Sequence, residues 1–229
     1  MLAVGPLIRR FNTLGRPLIQ IAMDFLSIND AVRLMEKLKG LEVDVYEVGT
    51  PLIKSEGIRA VRAVREFADD SVVLADMKTA DTGSLEVRLA AENGANAVSV
   101  LASANDEVIA SALKEAESSD VDVVVDTIGR LNVLNVISEV VRLGVQIINI
   151  HLAIDVQLSS GKTIADVISI IEDVKNSYKN LLISASGGVR PHHVGDLVRS
   201  GVDIIVMGSA VTKAADPAEV VRQALRYVK

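Results

Sequence analysis

Val72-Val-Leu-Ala-Asp76-Met-Lys78-Thr-Ala-Asp81 starts as an apolar run and ends in an acid, an ammonium and a second acid. The run has the length and β-branched content of a strand buried on both faces. Burying Asp76 and Lys78 without partners would cost roughly several kcal/mol each, so the strand must release them at the mouth of a core. Residues two apart on a strand face the same way, which puts Asp76 and Lys78 on one side of the sheet. Asp81 is lifted onto the loop that follows.

The same pattern recurs on either side. Strand-like runs are predicted at Leu18–Asp24, Val43–Gly49, Val72–Lys78, Ala97–Ala102, Val121–Ile128, Val145–Leu152, Leu181–Gly187 and Ile204–Gly208. Helical patterns alternate with them at Asn29–Lys39, Ile58–Phe67, Leu85–Asn93, Glu107–Ser118, Val133–Leu143, Ile164–Tyr178, His193–Ser200 and Ala218–Val228. Gly94, Gly144 and Gly201 read as helix ends, and Asp216-Pro217 as a helix start. β-then-α units recurring roughly every 28 residues predict a (β/α)8 TIM barrel rather than an open doubly wound sheet. No linker or low-complexity tract divides the 229 residues, so one barrel domain spans 1–229. Residues 1–16 precede the first strand, and Leu7–Phe11 suits a short helix covering the barrel floor.

Composition narrows the function. Hydrophobic residues make up 49 % of the chain and aromatics 3 %, an aliphatic core suited to a parallel sheet wrapped in helices. The net charge of −6 argues against a nucleic-acid surface while permitting a small cationic cavity. No apolar run reaches the length of about 18 residues that spans a bilayer. The N-terminal charges follow the apolar stretch, the reverse of a secretory signal. With no Cys, the chain has no disulfide, thiolate zinc site or cysteine nucleophile, and the expected location is the cytoplasm.

In a barrel the chemistry gathers where strands end. The ends of strands one, two, three, five and six supply Asp24, Glu47, Asp76 with Lys78, Asp126 and His151, with Asp81 and Asp155 on loops. Strands seven and eight end instead in Ser186-Gly187-Gly188 and Gly208-Ser209-Ala210, where glycine frees backbone N–H groups for a phosphate. Each residue also has a structural reading. Asp24 and Asp126 suit helix N-caps, Glu47 a structural pair with Lys78, and His151 a satisfied core histidine. His192 and His193 after Pro191 read as surface residues at a helix start. The set on one rim, opposite two glycine loops, favours a site.

Glu47 and Asp76 suit a hard cation such as Mg²⁺, which takes oxygen ligands and keeps waters. Lys78 would then stabilise an oxyanion, a histidine such as His151 would move a proton, and Asp24 would orient Lys78. The residues by themselves describe a metal-assisted lyase or isomerase acting on a sugar phosphate, without selecting the reaction.

Asp76-Met-Lys78-Thr-Ala-Asp81 matches the Asp-x-Lys-x-x-Asp mark of the orotidine-monophosphate-decarboxylase superfamily, which the chain resembles from about Leu18 to its C-terminus. Further matching segments are Gln20–Asp24, Tyr46–Ile53, Ile150–Gln157, Ser186–Val189 and Gly208–Asp216. Within that superfamily the resemblance is to the 3-hexulose-6-phosphate synthase branch. Orotidylate decarboxylases carry Lys where this chain has Glu47, and usually Ile-Pro after the strand-three motif.

The resemblance implies condensation of formaldehyde with D-ribulose 5-phosphate, and the reverse cleavage. Glu47 and Asp76 would hold Mg²⁺, Lys78 would stabilise an enediolate, His151 would take the carbon-1 proton and Asp24 would position substrate and Lys78. Gly187, Gly188, Gly208 and Ser209 would bind phosphate. Asp81 would reach into the partner's site of a homodimer. The chain departs from the branch at His151-Leu152-Ala153, where His-Thr-Gly or His-Arg is common. The related 3-keto-L-gulonate-6-phosphate decarboxylases usually keep Arg in that motif and after the strand-eight Gly, where this chain has Leu152 and Ser209. That activity is the alternative, and a non-catalytic sugar-phosphate-binding barrel is a second.

Overall fold

A computed structural model describes residues 4–153 and 163–229. Eight parallel strands close into a barrel: β1 (Leu18–Met23), β2 (Val45–Val48), β3 (Val72–Thr79), β4 (Ala97–Leu101), β5 (Asp122–Asp126), β6 (Ile147–His151), β7 (Leu182–Ser186) and β8 (Ile204–Met207). β1 pairs with both β2 and β8, so no edge strand is left open. All eight expected strands form, which excludes the open doubly wound sheet.

The helices are α1 (Pro6–Leu14), α2 (Ile28–Leu38), α3 (Thr50–Glu56), α4 (Arg59–Phe67), α5 (Gly83–Glu92), α6 (Asp106–Ser119), α7 (Val133–Arg142), α8 (Ile164–Ser177), α9 (Pro191–Arg199), α10 (Ser209–Thr212) and α11 (Pro217–Leu225). Two of these are additions to the expected set. α3 starts at Gly49-Thr50-Pro51, where Pro51 occupies the first turn that tolerates it. α10 is a single turn capped by Gly208, the kind of short extra helix that barrels place after the last strand. None of the described helices is long and apolar enough to cross a membrane.

Strand alternation divides the apolar residues into two cores. Outward-facing Ile19, Ile21, Val73, Val98, Val125, Ile148, Ile183 and Ile205 pack against the helical layer. Inward-facing Leu18, Val45, Val72, Leu74, Ala97, Val124, Ile147, Leu182 and Ile204 fill the lower barrel, joined there by Leu7 and Ile8 of α1. The expected floor helix therefore exists and extends beyond Leu7–Phe11.

Buried Asp122, on the first residue of β5, caps α1 by accepting the N–H groups of Gly5, Leu7 and Ile8 at 3.2, 2.7 and 3.3 Å. Fully buried Asp44 takes a bidentate pair from Arg16 at 2.9 and 3.1 Å and the N–H of Ile19 at 2.9 Å. With apolar side chains and these clamps filling the floor, the opposite, C-terminal rim is left to carry polar groups.

Candidate active site at the C-terminal rim

β3 carries a local irregularity that shapes the site. Ala75 pairs with Val98 and Thr79 with Val100, so Asp76, Met77 and Lys78 together face the single residue Ser99 on β4. Two extra residues is an even number, so the inward and outward faces survive the shift. Asp76 and Lys78 both point inward within the arc that one residue would ordinarily occupy. Lys78 pays with a left-handed backbone, φ +48°, a cost of roughly 1 to 3 kcal/mol for a residue with a β-carbon.

The resulting cluster is densely bonded. The Lys78 ammonium lies 2.9 Å from both Asp76 carboxylate oxygens and 3.2 Å from Asp126 Oδ2. Asp76, 5 % exposed, also accepts from Ser99 Oγ at 2.7 Å and from Thr50 Oγ1 at 2.7 Å. Asp126, 2 % exposed, accepts from His151 Nδ1 at 2.9 Å, Asn149 Nδ2 at 3.2 Å and the N–H of Ile128 at 2.8 Å. Burial by itself would raise Asp126. The hydrogen bond and charge of His151, with Lys78 and Ile128, overcome it and hold the carboxyl down at about 2. Burial likewise works against the Lys78 ammonium, but Asp126 and Asp76 outweigh it and raise that group above the ordinary lysine range.

A second group of acids lies beside the first. Glu47 accepts from Gln20 Nε2 at 2.6 Å. Burial, then the negative charges of Asp76 and Asp24, drive its carboxyl well above the usual range. Asp24 stands at the open lip, raised first by burial and then by Asp76. Its carboxylate abuts Gly49, where a β-carbon would fall 2.2 Å from Oδ1. Asp24, expected to orient Lys78, makes no direct bond to it: Asp76 and Asp126 hold the ammonium, and Asp24 and Lys78 interact through space. The structural pairing of Glu47 with Lys78 is likewise replaced by the bond to Gln20.

These side chains share one cavity of about 580 Å³, lined by Asp24, Glu47, Asp76, Lys78, Asn149 and His151 and, across from them, by Gly187, Gly188, Gly208 and Ser209. Gly187 is required twice: its φ is +104°, and a β-carbon there would lie 2.1 Å from the carbonyl oxygen of Leu152. Thr50 and Lys54 complete the wall on the α3 side. Asp81 does not join the cavity. It is exposed and accepts the N–H of Thr82 at 2.7 Å. Asp155 lies outside the described residues. His192 is exposed, and His193 Nδ1 accepts the N–H of Arg190 at the start of α9, so neither enters the site.

Asn149, Ser99, Gln20 and Thr50 are participants to which sequence reading gave no role, and Asp126, which it put on the rim, was given no task there. Asp126 was visible as a strand end, and it sits opposite Asn149 in the β5–β6 register. Asn149 precedes His151 by two residues and so faces the same way. Asn149 Oδ1 is buried with no partner among the described residues.

The donor set suits a hard divalent cation. Three carboxylates crowd together beside one ammonium, and Glu47 is held toward its neutral form first by burial and then by the charges of Asp76 and Asp24. Among the described residues no three acids or histidines converge in ligating geometry, so Glu47 and Asp76 would leave most of the coordination shell to substrate and water.

The orotidine 5′-phosphate decarboxylase / HUMPS family description matches residues 17–224. A 3-hexulose-6-phosphate synthase of Mycobacterium gastri is 36 % identical over 205 residues, covering 90 % of this chain and 96 % of that one. A 3-hexulose-6-phosphate synthase of Bacillus subtilis is 31 % identical over 201 residues, 88 % of this chain and 93 % of that protein. A crystal structure of a 3-hexulose-6-phosphate synthase superposes with a TM-score of 0.87 at 35 % identity, over 93 % of this chain and all of the other.

Proposed function

The chain belongs to the orotidine 5′-phosphate decarboxylase / HUMPS family, and from that premise we propose that it is a carbon–carbon lyase joining formaldehyde to D-ribulose 5-phosphate. The product is D-arabino-hex-3-ulose 6-phosphate, and the reverse cleavage uses the same groups. The observation that carries this reading is Asp126 holding Lys78 and His151 on one carboxylate oxygen, across a cavity from two glycine loops. The synthase relatives at 31 to 36 % identity support it.

Ionised Asp126 accepts a hydrogen bond from the Nδ1–H of His151, which leaves Nε2 as the lone-pair nitrogen for the substrate. Nε2 removes a proton from carbon 1 of ribulose 5-phosphate. The electron pair of the broken C–H bond forms the C1=C2 double bond, and the carbonyl pair moves onto the C2 oxygen. Lys78 faces that developing negative charge from a site where two carboxylates keep it protonated. Carbon 1 then bonds to the formaldehyde carbon, the C2 carbonyl reforms and the former aldehyde oxygen takes up a proton. Mg²⁺ held by Glu47 and Asp76 would supply Lewis acidity at the substrate oxygens. Gly187, Gly188, Gly208 and Ser209 would grip the phosphate through backbone groups, and Asp24 would position the sugar.

Asp81, turned away from its own cavity, suits a homodimer in which it completes the partner's site. Exposed Leu85 and Leu89, one turn apart on the neighbouring helix α5, support burial of that face. Phosphorylated sugars do not cross membranes unaided, so this reading places the protein in the cytoplasm. The test is formaldehyde consumption with ribulose 5-phosphate and Mg²⁺. Loss of both substrates in equal amounts is expected, and no consumption would overturn the assignment.

A further inference from the structure

The β3 irregularity makes a demand that the reaction described above does not account for. Lys78, with φ +48° and its pairing with β4 interrupted, has a backbone N–H that the sheet no longer satisfies. That N–H donates to Ser99 Oγ at 2.9 Å, and the same hydroxyl donates its one proton to Asp76 Oδ1 at 2.7 Å. Ser99 is 3 % exposed, so water does not compete for either bond. One hydroxyl thus ties the backbone of the residue carrying the ammonium to the carboxylate that holds it. It also fills the single inward position that three residues of β3 face.

We propose that Ser99 is a positioning residue, its hydroxyl locking the β3 bulge so that Asp76 and Lys78 present carboxylate and ammonium together at the cavity. The inference deepens the lyase reading and rests on it for its kinetic consequence. Ser99 does not touch substrate. It acts through Asp76 and Lys78, which are packed closer than a regular strand would hold them. Alanine at this position supplies neither bond, whereas threonine supplies both and suits a strand. Without the hydroxyl, the Lys78 N–H has no acceptor and the left-handed turn loses what stabilises it.

The test compares the full-length wild type with Ser99→Ala and Ser99→Thr. Amide hydrogen exchange at Lys78 reads the lock directly, and steady-state kinetics with ribulose 5-phosphate, formaldehyde and Mg²⁺ read its consequence. In Ser99→Ala, Lys78 exchange is expected to accelerate at least about tenfold relative to the β5 amides, with kcat falling about tenfold or more and KM staying within about threefold. Ser99→Thr is expected to restore both to within about threefold of wild type. Unchanged Lys78 exchange in Ser99→Ala, or faster exchange with unchanged kcat, overturns the proposal. Equal loss of thermal stability and kcat in both variants marks Ser99 as a packing residue and overturns it too. If the wild type turns over no ribulose 5-phosphate, the lyase reading falls, while Lys78 exchange across the three proteins still decides whether Ser99 locks the bulge.

Discussion

His151 Nδ1 lies 2.9 Å from Asp126 Oδ2, and this contact fixes which nitrogen of the ring faces the cavity. The same oxygen receives the Lys78 ammonium at 3.2 Å, so base and oxyanion-stabilising cation share one anchor. Asp126→Asn keeps the shape but cannot accept from Lys78, His151, Asn149 and Ile128 together as a carboxylate does. Turnover is expected to drop on the order of a hundredfold or more, in line with other orienting carboxylates behind a catalytic histidine. Initial rates at saturating substrate check this, and a variant within a few-fold of wild type would remove Asp126 from the account.

The depressed Asp126 carboxyl also predicts a pH dependence of stability. Its folded value of about 2 lies below the ordinary aspartate value of 3.8, so the folded state binds the proton less readily than the unfolded chain. The stabilisation, of order 2 kcal/mol, is fully present above the unfolded value and is lost as pH falls toward 2. Urea midpoints measured from pH 6 down to pH 3 are expected to fall more steeply for wild type than for Asp126→Asn. Parallel curves would contradict the assignment.

Glu47 has the opposite sign. Its raised carboxyl means that the fold favours the protonated form, so its contribution is present below the unfolded value and disappears as pH rises through the folded one. At pH 8 without a divalent cation, Glu47→Gln is expected to melt above wild type, because a half-buried charge near Asp76 and Asp24 is gone while the Gln20 bond can be kept. Added Mg²⁺ is expected to raise the melting temperature of wild type and to leave that of Glu47→Gln nearly unchanged. Equal Mg²⁺ responses would argue against Glu47 as a ligand.

Lys78→Ala is expected to abolish turnover, by about a thousandfold or more, with the barrel's far-ultraviolet circular dichroism retained. Thermal stability is expected to fall, because Asp76 and Asp126 lose the cation between them. Substantial residual turnover would contradict the oxyanion role.

Much of this arrangement was legible in the chain because parallel strands impose strict rules. Apolar runs alternating with amphipathic helical patterns and glycine turns were enough to place eight strands, and strand ends in a barrel converge by geometry. For that reason Asp24, Glu47, Asp76, Lys78, His151 and the two glycine loops meet in one cavity although the sequence scatters them from 24 to 209. Contacts between strands were not legible, since they depend on register. Asp126 looked like an ordinary helix cap until its pairing opposite Asn149 brought it against His151. The shift between Ala75 and Thr79 has no local signature in Asp76-Met-Lys78, because its stabilising partner, Ser99, comes from the next strand. That Asp126 joins Asp76 on the Lys78 ammonium was hidden for the same reason: nearness on the rim does not say which acid reaches it.

The most direct measurement of the central claim is exchange of the carbon-1 protons of ribulose 5-phosphate into D₂O, followed by proton NMR without formaldehyde. Wild type with Mg²⁺ is expected to exchange one carbon-1 proton stereospecifically, and His151→Ala to slow that exchange at least about a hundredfold while still binding the sugar phosphate. Exchange at wild-type rate in His151→Ala, or none in the wild type, would contradict the account.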